Sequence, residues 1–176
     1  MKRHLLTIAL FAVPAFSWAE CQIFSSQQKV TWGRLSAAER QHANGEAISL
    51  PEKQIQVQVV CSEPQRIRLF VGSDRPQNGT FSLGPDGEMR IVASRARVDD
   101  KPVRLRAVNA SEAIPVPGGS ETLDITLNQG MAFIDGNEAY GKTATVLFNV
   151  MPTIKPGAIT ERVTWRGNLR IKMDVQ

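Results

Sequence analysis

Potential metal ligands are scarce in this sequence. It has two cysteines, Cys21 and Cys61, and two histidines, of which only His42 lies outside the N-terminal segment considered next. Two cysteines and one histidine do not supply a tetrahedral metal site with the usual ligand spacing. His42 lies in a polar stretch without a serine or aspartate partner in evident register, and the acidic residues are scattered, so no catalytic group is indicated. We therefore expect no metal, no cofactor and no enzymatic activity.

A membrane-spanning run is also missing. The apolar run at residues 5–13 is too short to cross a bilayer, which takes about 20 residues, and no later run reaches that length. It follows the basic residues 2–4 and precedes Ser-Trp-Ala at 17–19, with small side chains at the two positions that matter for cleavage. The sequence therefore predicts a secretory signal peptide over residues 1–19, and we expect an exported protein.

Strong positive charge disappears once that segment is removed. The whole chain carries 21 basic and 17 acidic residues, for a formal charge of +4. Lys2 and Arg3 leave with the signal peptide, which lowers the charge to +2. A balance so close to neutral argues against nucleic acid or an anionic membrane as a partner. Residues 20–176 are of a size that forms one domain.

Helical periodicity is nearly absent, and alternation takes its place. At residues 54–61, Ile55, Val57, Val59 and Cys61 share one parity and three glutamines hold the other, which is typical of a strand with one buried face. About eight such segments, separated by turn signals, predict an all-β antiparallel sandwich. The other segments are 29–32, 66–71 (with Arg66 and Arg68 on the polar face), 81–83, 89–98, 103–105, 123–127, 145–150 and 169–175.

Local signals add detail to this pattern. A change of parity within residues 89–98 predicts a β-bulge near Ser94 and Arg95, and Asp-Asp-Lys-Pro at 99–102 predicts a turn. A capping-box pattern at 36–39 predicts one or two helical turns. Residues 113–120 are predicted to form a loop.

The two cysteines predict one disulfide. Cys61 lies on the buried face of its strand, and an exported chain with two cysteines favours a bond between Cys21 and Cys61. Such a bond would join the first two strands at the start of the exported chain.

Residues 136–143 match the Walker A nucleotide-binding pattern letter for letter. That motif requires a helix directly after the loop, whose N-terminal amides bind the phosphates. Here Ala144 begins a β-branched, alternating segment instead. We therefore interpret the match as a glycine-rich hairpin loop.

Six basic residues surround one predicted hairpin. A patch for acidic glycans or a partner is one interpretation, and a solvated strand face that discourages edge pairing is the favoured one. The residues are Arg90, Arg95, Arg97, Lys101, Arg104 and Arg106.

The chain resembles the fimbrial (pilin) subunits of the bacterial chaperone–usher pathway. The resemblance rests on Cys21, on Val-Thr-Trp-Gly-Arg-Leu at 30–35, on a strand that ends in Cys61, and on the alternation that runs to Val175 at the C-terminus. It implies an immunoglobulin-like sandwich that lacks its final strand and takes one from another protein. The groove residues implied are Leu169, Ile171, Met173 and Val175.

The same resemblance implies a function and a set of partners. The protein would be a structural or adhesive minor subunit of a surface fimbria. It would be exported through the periplasm to the cell surface. Its partners would be a periplasmic chaperone, an outer-membrane usher, other fimbrial subunits and a host or surface receptor. Two other interpretations stay open: a free-standing periplasmic sandwich that binds a ligand or assists fimbrial assembly, and an exported enzyme, for which no constellation is found.

The N-terminus departs from that family. Its subunits normally carry about fifteen residues before the first cysteine, a length that matches one donated strand of extended chain. With cleavage after Ala19, only Glu20 would precede Cys21. Such a subunit could accept a strand but could not donate one, which predicts a position at the fibre tip.

Overall fold

The fold is known from a computed structural model, which describes residues 20–25, 29–33, 46–73, 79–84, 87–112, 118–155 and 165–176. These residues form thirteen β-strands, and every pairing between strands is antiparallel. The strands are β1 Cys21–Ser25, β2 Lys29–Trp32, β3 Ile48–Ser49, β4 Lys53–Ser73, β5 Phe81–Leu83, β6 Gly87–Val98, β7 Lys101–Pro102, β8 Arg104–Val108, β9 Thr122–Ile125, β10 Gly130–Asp135, β11 Asn137–Glu138, β12 Tyr140–Ile154 and β13 Trp165–Val175. The all-β antiparallel class predicted from the alternation is therefore confirmed.

The described ranges contain no helix long and apolar enough to span a membrane.

Strand β4 is the centre of the fold. It pairs with β1 over its first half, with β12 from Lys53 to Arg66, and with β10 and β13 over its second half. The sequence predicts two strands here, at 54–61 and 66–71, and that division is wrong. The register with β12 shifts between Gly141 and Thr143, whose partners are Gln65 and Val60. This irregularity absorbs the residues between the two alternating segments, so the backbone remains extended through them.

The predicted bulge in β6 is confirmed. Thr145 of β12 pairs with Arg97 and Leu147 pairs with Ser94, so one residue of β12 faces two of β6. Arg95 adopts a positive φ of 51° at this point. The extra residue moves the buried parity from Ala93 to Ala96, as the sequence indicated.

Two turns decide where strands end. Asp99 and Asp100 both have positive φ and reverse the chain between β6 and β7, which confirms the turn predicted there. The strand predicted to reach residue 127 ends at Ile125 instead. Asn128 has a positive φ of 62°, and the Gln129 N–H donates to the Thr126 carbonyl, so a turn replaces the last predicted strand residues.

The core follows the predicted alternation. Ile55, Val57 and Val59 are fully buried, and Cys61 is nearly so. Trp32 and Trp165, interpreted as core residues, are both buried, and the indole N–H of Trp32 donates to the Pro51 carbonyl at 2.8 Å. These side chains pack in one cluster with buried side chains from the other strands, and together they form a sandwich-like core.

Strand β10 is absent from the predicted set. Four of its six residues, Met131, Ala132, Phe133 and Ile134, are apolar, and all four are buried. Met131 and Phe133 enter the main core, whereas Ala132 and Ile134 join a second small cluster with Val108 on the other face of the sheet. A strand buried on both faces does not alternate, so a search for period-two patterns misses it.

Some predictions fall on residues that the structure does not describe. These are the signal peptide at 1–19, the helical turns after 36–39, His42, and residues 113–117 of the predicted loop.

Candidate functional site

The predicted disulfide is present. Cys21 and Cys61 are bonded, pair directly in the β1–β4 ladder, and lie 40 residues apart in sequence. The bond therefore fixes the start of β1 to the middle of β4.

One edge of β13 is paired with β4. Gln176 and Arg66 exchange backbone hydrogen bonds of 2.8 and 3.0 Å at the end of this ladder. Backbone polar groups of successive strand residues point to opposite edges, so the even-numbered residues of this segment bond to β4. The odd-numbered residues direct their N–H and C=O groups to the other edge; they are Leu169, Ile171, Met173 and Val175.

The other edge of β13 is only partly covered. Strand β2 pairs with residues 165–168 of β13, and the ladder ends at Asn168 opposite Lys29. Among the described residues, no strand pairs with this edge beyond that point. In the described part of the chain, seven residues, 169–175, therefore present one edge without a paired strand.

Strand β1 has a similar edge. The Ser62 N–H donates to the Glu20 carbonyl at 2.9 Å. The backbone N–H and C=O groups of the even-numbered residues of β1 therefore point toward β4. Cys21 and Ile23 direct their backbone groups the other way. In the part of the chain that the structure describes, β4 is the sole strand paired with β1.

The edges of β1 and β13 flank one opening, which we call the β1–β13 groove. It has a volume of about 300 Å³. Ile23 of β1 and Leu169 and Ile171 of β13 supply its apolar lining, and Lys29 and Arg170 lie at its rim. The groove thus combines strand edges, apolar side chains and a charged rim.

The four predicted groove residues share one inward face of β13 but differ in position. Leu169 is buried, and Ile171, Met173 and Val175 are partly buried against the core. Only Leu169 and Ile171 line the opening itself. Met173 and Val175 continue the same edge toward the chain end.

A second, larger cleft lies beside the bulge in β6. Its volume is about 690 Å³, and Ala96, Val103 and Ile134 contribute apolar lining. Arg95 and Arg104 also line it. The bulge is what places Arg95 at this cleft, because the extra residue re-aims the side chains that follow Ala93.

Two other members of the basic cluster, Arg90 and Arg97, form local contacts. Arg90 donates to both carboxylate oxygens of Asp124, at 2.7 and 2.8 Å, and Arg97 donates to the Asp100 carbonyl. The hydrogen bond with Arg90 lowers the pKa of Asp124, and the same bond raises the pKa of Arg90. Arg90 and Asp124 are largely exposed. This agrees with a solvated strand face for that part of the cluster.

The Walker-like segment lies in a hairpin, as interpreted from the sequence, but β12 begins at Tyr140 within the motif and not at Ala144. Gly136 has a positive φ of 72° in the turn between β10 and β11. The backbone N–H groups of Lys142 and Thr143 both donate to Oδ1 of Asp99, at 2.9 and 2.8 Å. A carboxylate of the protein itself therefore occupies the amides that a phosphate would need.

Arg68 is the residue whose environment differs most from the prediction. The alternation predicts that it lies on the polar face of its strand, yet its side chain is only 1 % exposed. It donates to Oε1 and Oε2 of Glu138 at 2.7 and 3.0 Å, and also to the Glu112 carbonyl. The Glu138 hydrogen bond raises the pKa of Arg68. Both acceptor residues, Glu138 and Glu112, are distant in sequence, and no local pattern near Arg68 predicts them.

Comparison with known proteins gives little further guidance. No family model matches the chain. The chain is similar to the uncharacterized protein YhcE of Escherichia coli (strain K12), with 26 % identity over 181 residues that cover 100 % of both chains. The similarity spans the full length, but that relative's name states no activity.

Proposed function

We propose that this protein is a structural or adhesive minor subunit of a bacterial surface fimbria and that it accepts a strand from another protein in the β1–β13 groove. The observation that carries the proposal is the pair of strand edges, on β1 and β13, that flank one apolar opening. The disulfide, the alternation of β13 and the resemblance to fimbrial subunits support it.

The physical basis of strand acceptance is edge pairing. An inserted strand gains main-chain hydrogen bonds from the edge, and its alternate side chains enter apolar pockets that fix its register. Within the described residues, the edge of β13 that has no strand paired to it is seven residues long, which corresponds to about 20 Å of extended chain. An average strand of five or six residues fits within that length.

The proposed partners follow from this chemistry. An uncovered edge beside an apolar opening favours aggregation, so a periplasmic chaperone would have to protect the groove after export. An outer-membrane usher and other fimbrial subunits would then replace the chaperone with a neighbour's strand. The protein would reach the cell surface in the assembled fimbria.

A position at the fibre tip is part of the proposal. Residues 21–25 pair with β4 and include the disulfide cysteine, so they belong to the subunit's own sheet. With the predicted cleavage after Ala19, no segment before β1 would be long enough to donate. N-terminal sequencing of the exported protein tests the cleavage site, and immunogold labelling along the whole shaft would contradict a tip position.

Co-expression tests the proposal directly. The full chain, exported with and without a candidate periplasmic fimbrial chaperone, should be soluble and monodisperse only as a chaperone complex. Co-purification of the two proteins is the expected result. A stable, natively folded monomer without any partner would overturn the proposal.

A free-standing periplasmic sandwich that binds a ligand, or assists fimbrial assembly, is the second candidate. The 690 Å³ cleft beside the bulge favours it, because its volume is in the range of small-molecule sites. The same cleft would receive a host or surface receptor if the subunit is adhesive. The co-expression experiment separates the two candidates, because a free-standing protein needs no chaperone.

A further inference from the structure

The outward face of β13 is strongly basic. Arg166, Arg170 and Lys172 are exposed on this face, and Lys29 of β2 is exposed beside them. Asp174 is the one acidic residue of β13. It lies opposite the buried Arg68 in the ladder with β4, at the far end of the strand. The rim of the β1–β13 groove is therefore cationic where the groove is open.

A strand inserted into the groove would bring alternate side chains against this rim. Its inward side chains would meet Ile23, Leu169 and Ile171. Its outward side chains would lie about 4.5–5.5 Å, between Cβ atoms, from those directly opposite on β13. Opposite charges across a strand pair stabilise it, and like charges directly opposite destabilise it.

We propose that the strand recognised by the groove alternates apolar inward side chains with acidic outward side chains, and that the acidic residues are read by Lys29 and Lys172. This inference rests on the proposed strand acceptance. The basic rim affects which strand is bound more than how tightly it is bound, because exposed charges act mainly on specificity and on association rate.

Two synthetic peptides test the inference on the unmodified protein. Both carry the same alternating apolar residues, and their outward positions are all glutamate in one and all lysine in the other. The exported full chain, with its disulfide intact, is refolded in the presence of each labelled peptide. Peptide affinity is then measured by fluorescence anisotropy. The glutamate peptide should bind roughly tenfold more tightly at low salt, and the preference should shrink at about 1 M salt, where the screening length falls to about 3 Å.

Charge reversal of the rim gives the matched comparison. The double variant Lys29→Glu/Lys172→Glu should prefer the lysine peptide. The variant Lys101→Glu, which reverses an exposed lysine on β7 away from the groove, should keep the original preference. Near-ultraviolet circular dichroism of each peptide complex verifies that the variants fold.

The possible failures are distinguishable. Equal affinity for both peptides with no salt dependence would overturn the charge inference and leave strand acceptance standing. A preference for glutamate that survives the double reversal would show that other residues read the charge, which also overturns the assignment. If the chain refolds but binds neither peptide, the proposed function itself fails.

Discussion

Arg68 and Glu138 form a buried ion pair with two hydrogen bonds, at 2.7 and 3.0 Å, between side chains that are 1 % and 6 % exposed. The pair joins the second half of β4 to β11, which follows the β10–β11 turn. Arg68 also donates to the Glu112 carbonyl, so the guanidinium binds three acceptor atoms. The pair therefore connects β4 to β11 across the intervening strand β10 of the same sheet, on the face opposite the main core.

Replacing one partner of this pair should be costly. Glu138→Ala leaves a buried guanidinium without its carboxylate, and we expect it to lower the free energy of unfolding by about 3–5 kcal/mol. Urea denaturation of the chaperone- or peptide-bound chain measures the loss. The double variant Arg68→Met/Glu138→Leu removes both charges and should be clearly more stable than Glu138→Ala. Equal losses in the two variants would show that packing, and not the uncompensated charge, sets the cost.

The disulfide should make a comparable contribution. The Cys21–Cys61 bond closes a loop with a sequence separation of 40 residues, for which the loop-entropy estimate is about 4 kcal/mol. Cys61→Ser combined with Cys21→Ser should lower stability by a few kcal/mol in the same denaturation assay. Thiol titration of the exported protein should find no reactive cysteine in the native or unfolded, unreduced chain. Two reactive thiols per chain would contradict the bond.

The Arg90–Asp124 pair predicts a measurable pKa with little effect on stability. The Arg90 hydrogen bond lowers the pKa of Asp124 below its ordinary value of 3.8. A carboxyl group whose pKa is lower in the folded than in the unfolded state stabilises the fold at pH values above its unfolded-state pKa. This contribution is lost as the pH falls through the folded-state pKa. Both side chains are more than half exposed, at 65 % and 58 %, so solvent screens the pair strongly.

Nuclear magnetic resonance titration tests this pKa. The Asp124 carboxyl should titrate below 3.8, and in Arg90→Ala it should return toward that value. Arg97→Ala provides the control, because Arg97 binds the Asp100 carbonyl instead. An Asp124 pKa that is unchanged in Arg90→Ala would show that the pair does not persist in solution.

A charge in the β1–β13 groove should abolish partner capture. Ile171→Asp places a carboxylate in the apolar lining, where an inserted strand would bury it without a partner. We expect co-purification with the chaperone to be lost. Asn137→Asp adds the same charge at an exposed position of β11, which does not line the groove, and should retain capture. Full capture by Ile171→Asp would place the binding surface elsewhere.

The extent of prediction from sequence differs between strands. Residues 54–61 and 145–150 were predicted because one face of each is buried and the other is not, so the chemical pattern and the burial pattern coincide. The β6 bulge was predictable for the same reason, since an extra residue changes the parity of buried positions. Strand β10 was not, because burial on both faces leaves an apolar run without period two.

The candidate groove shows the same division. Alternation in the C-terminal segment indicated that Leu169, Ile171, Met173 and Val175 share a face, and burial agrees. Alternation could not indicate which of them border an opening. That depends on where the β2 ladder stops at Asn168 and on how far β1 lies from β13, and both follow from contacts between segments distant in sequence.

The sequence by itself determined the all-β class, the inward face of most strands and the pairing of the two cysteines. These depend on the local alternation of apolar and polar side chains and on a cysteine count that leaves a single pairing. Only the tertiary structure decided that Arg68 is buried and that one edge each of β1 and β13 faces a common opening. Burial of a charged residue requires a partner from a distant segment, here Glu138. A strand edge is defined by the neighbour that does or does not pair with it, and no local pattern encodes that neighbour.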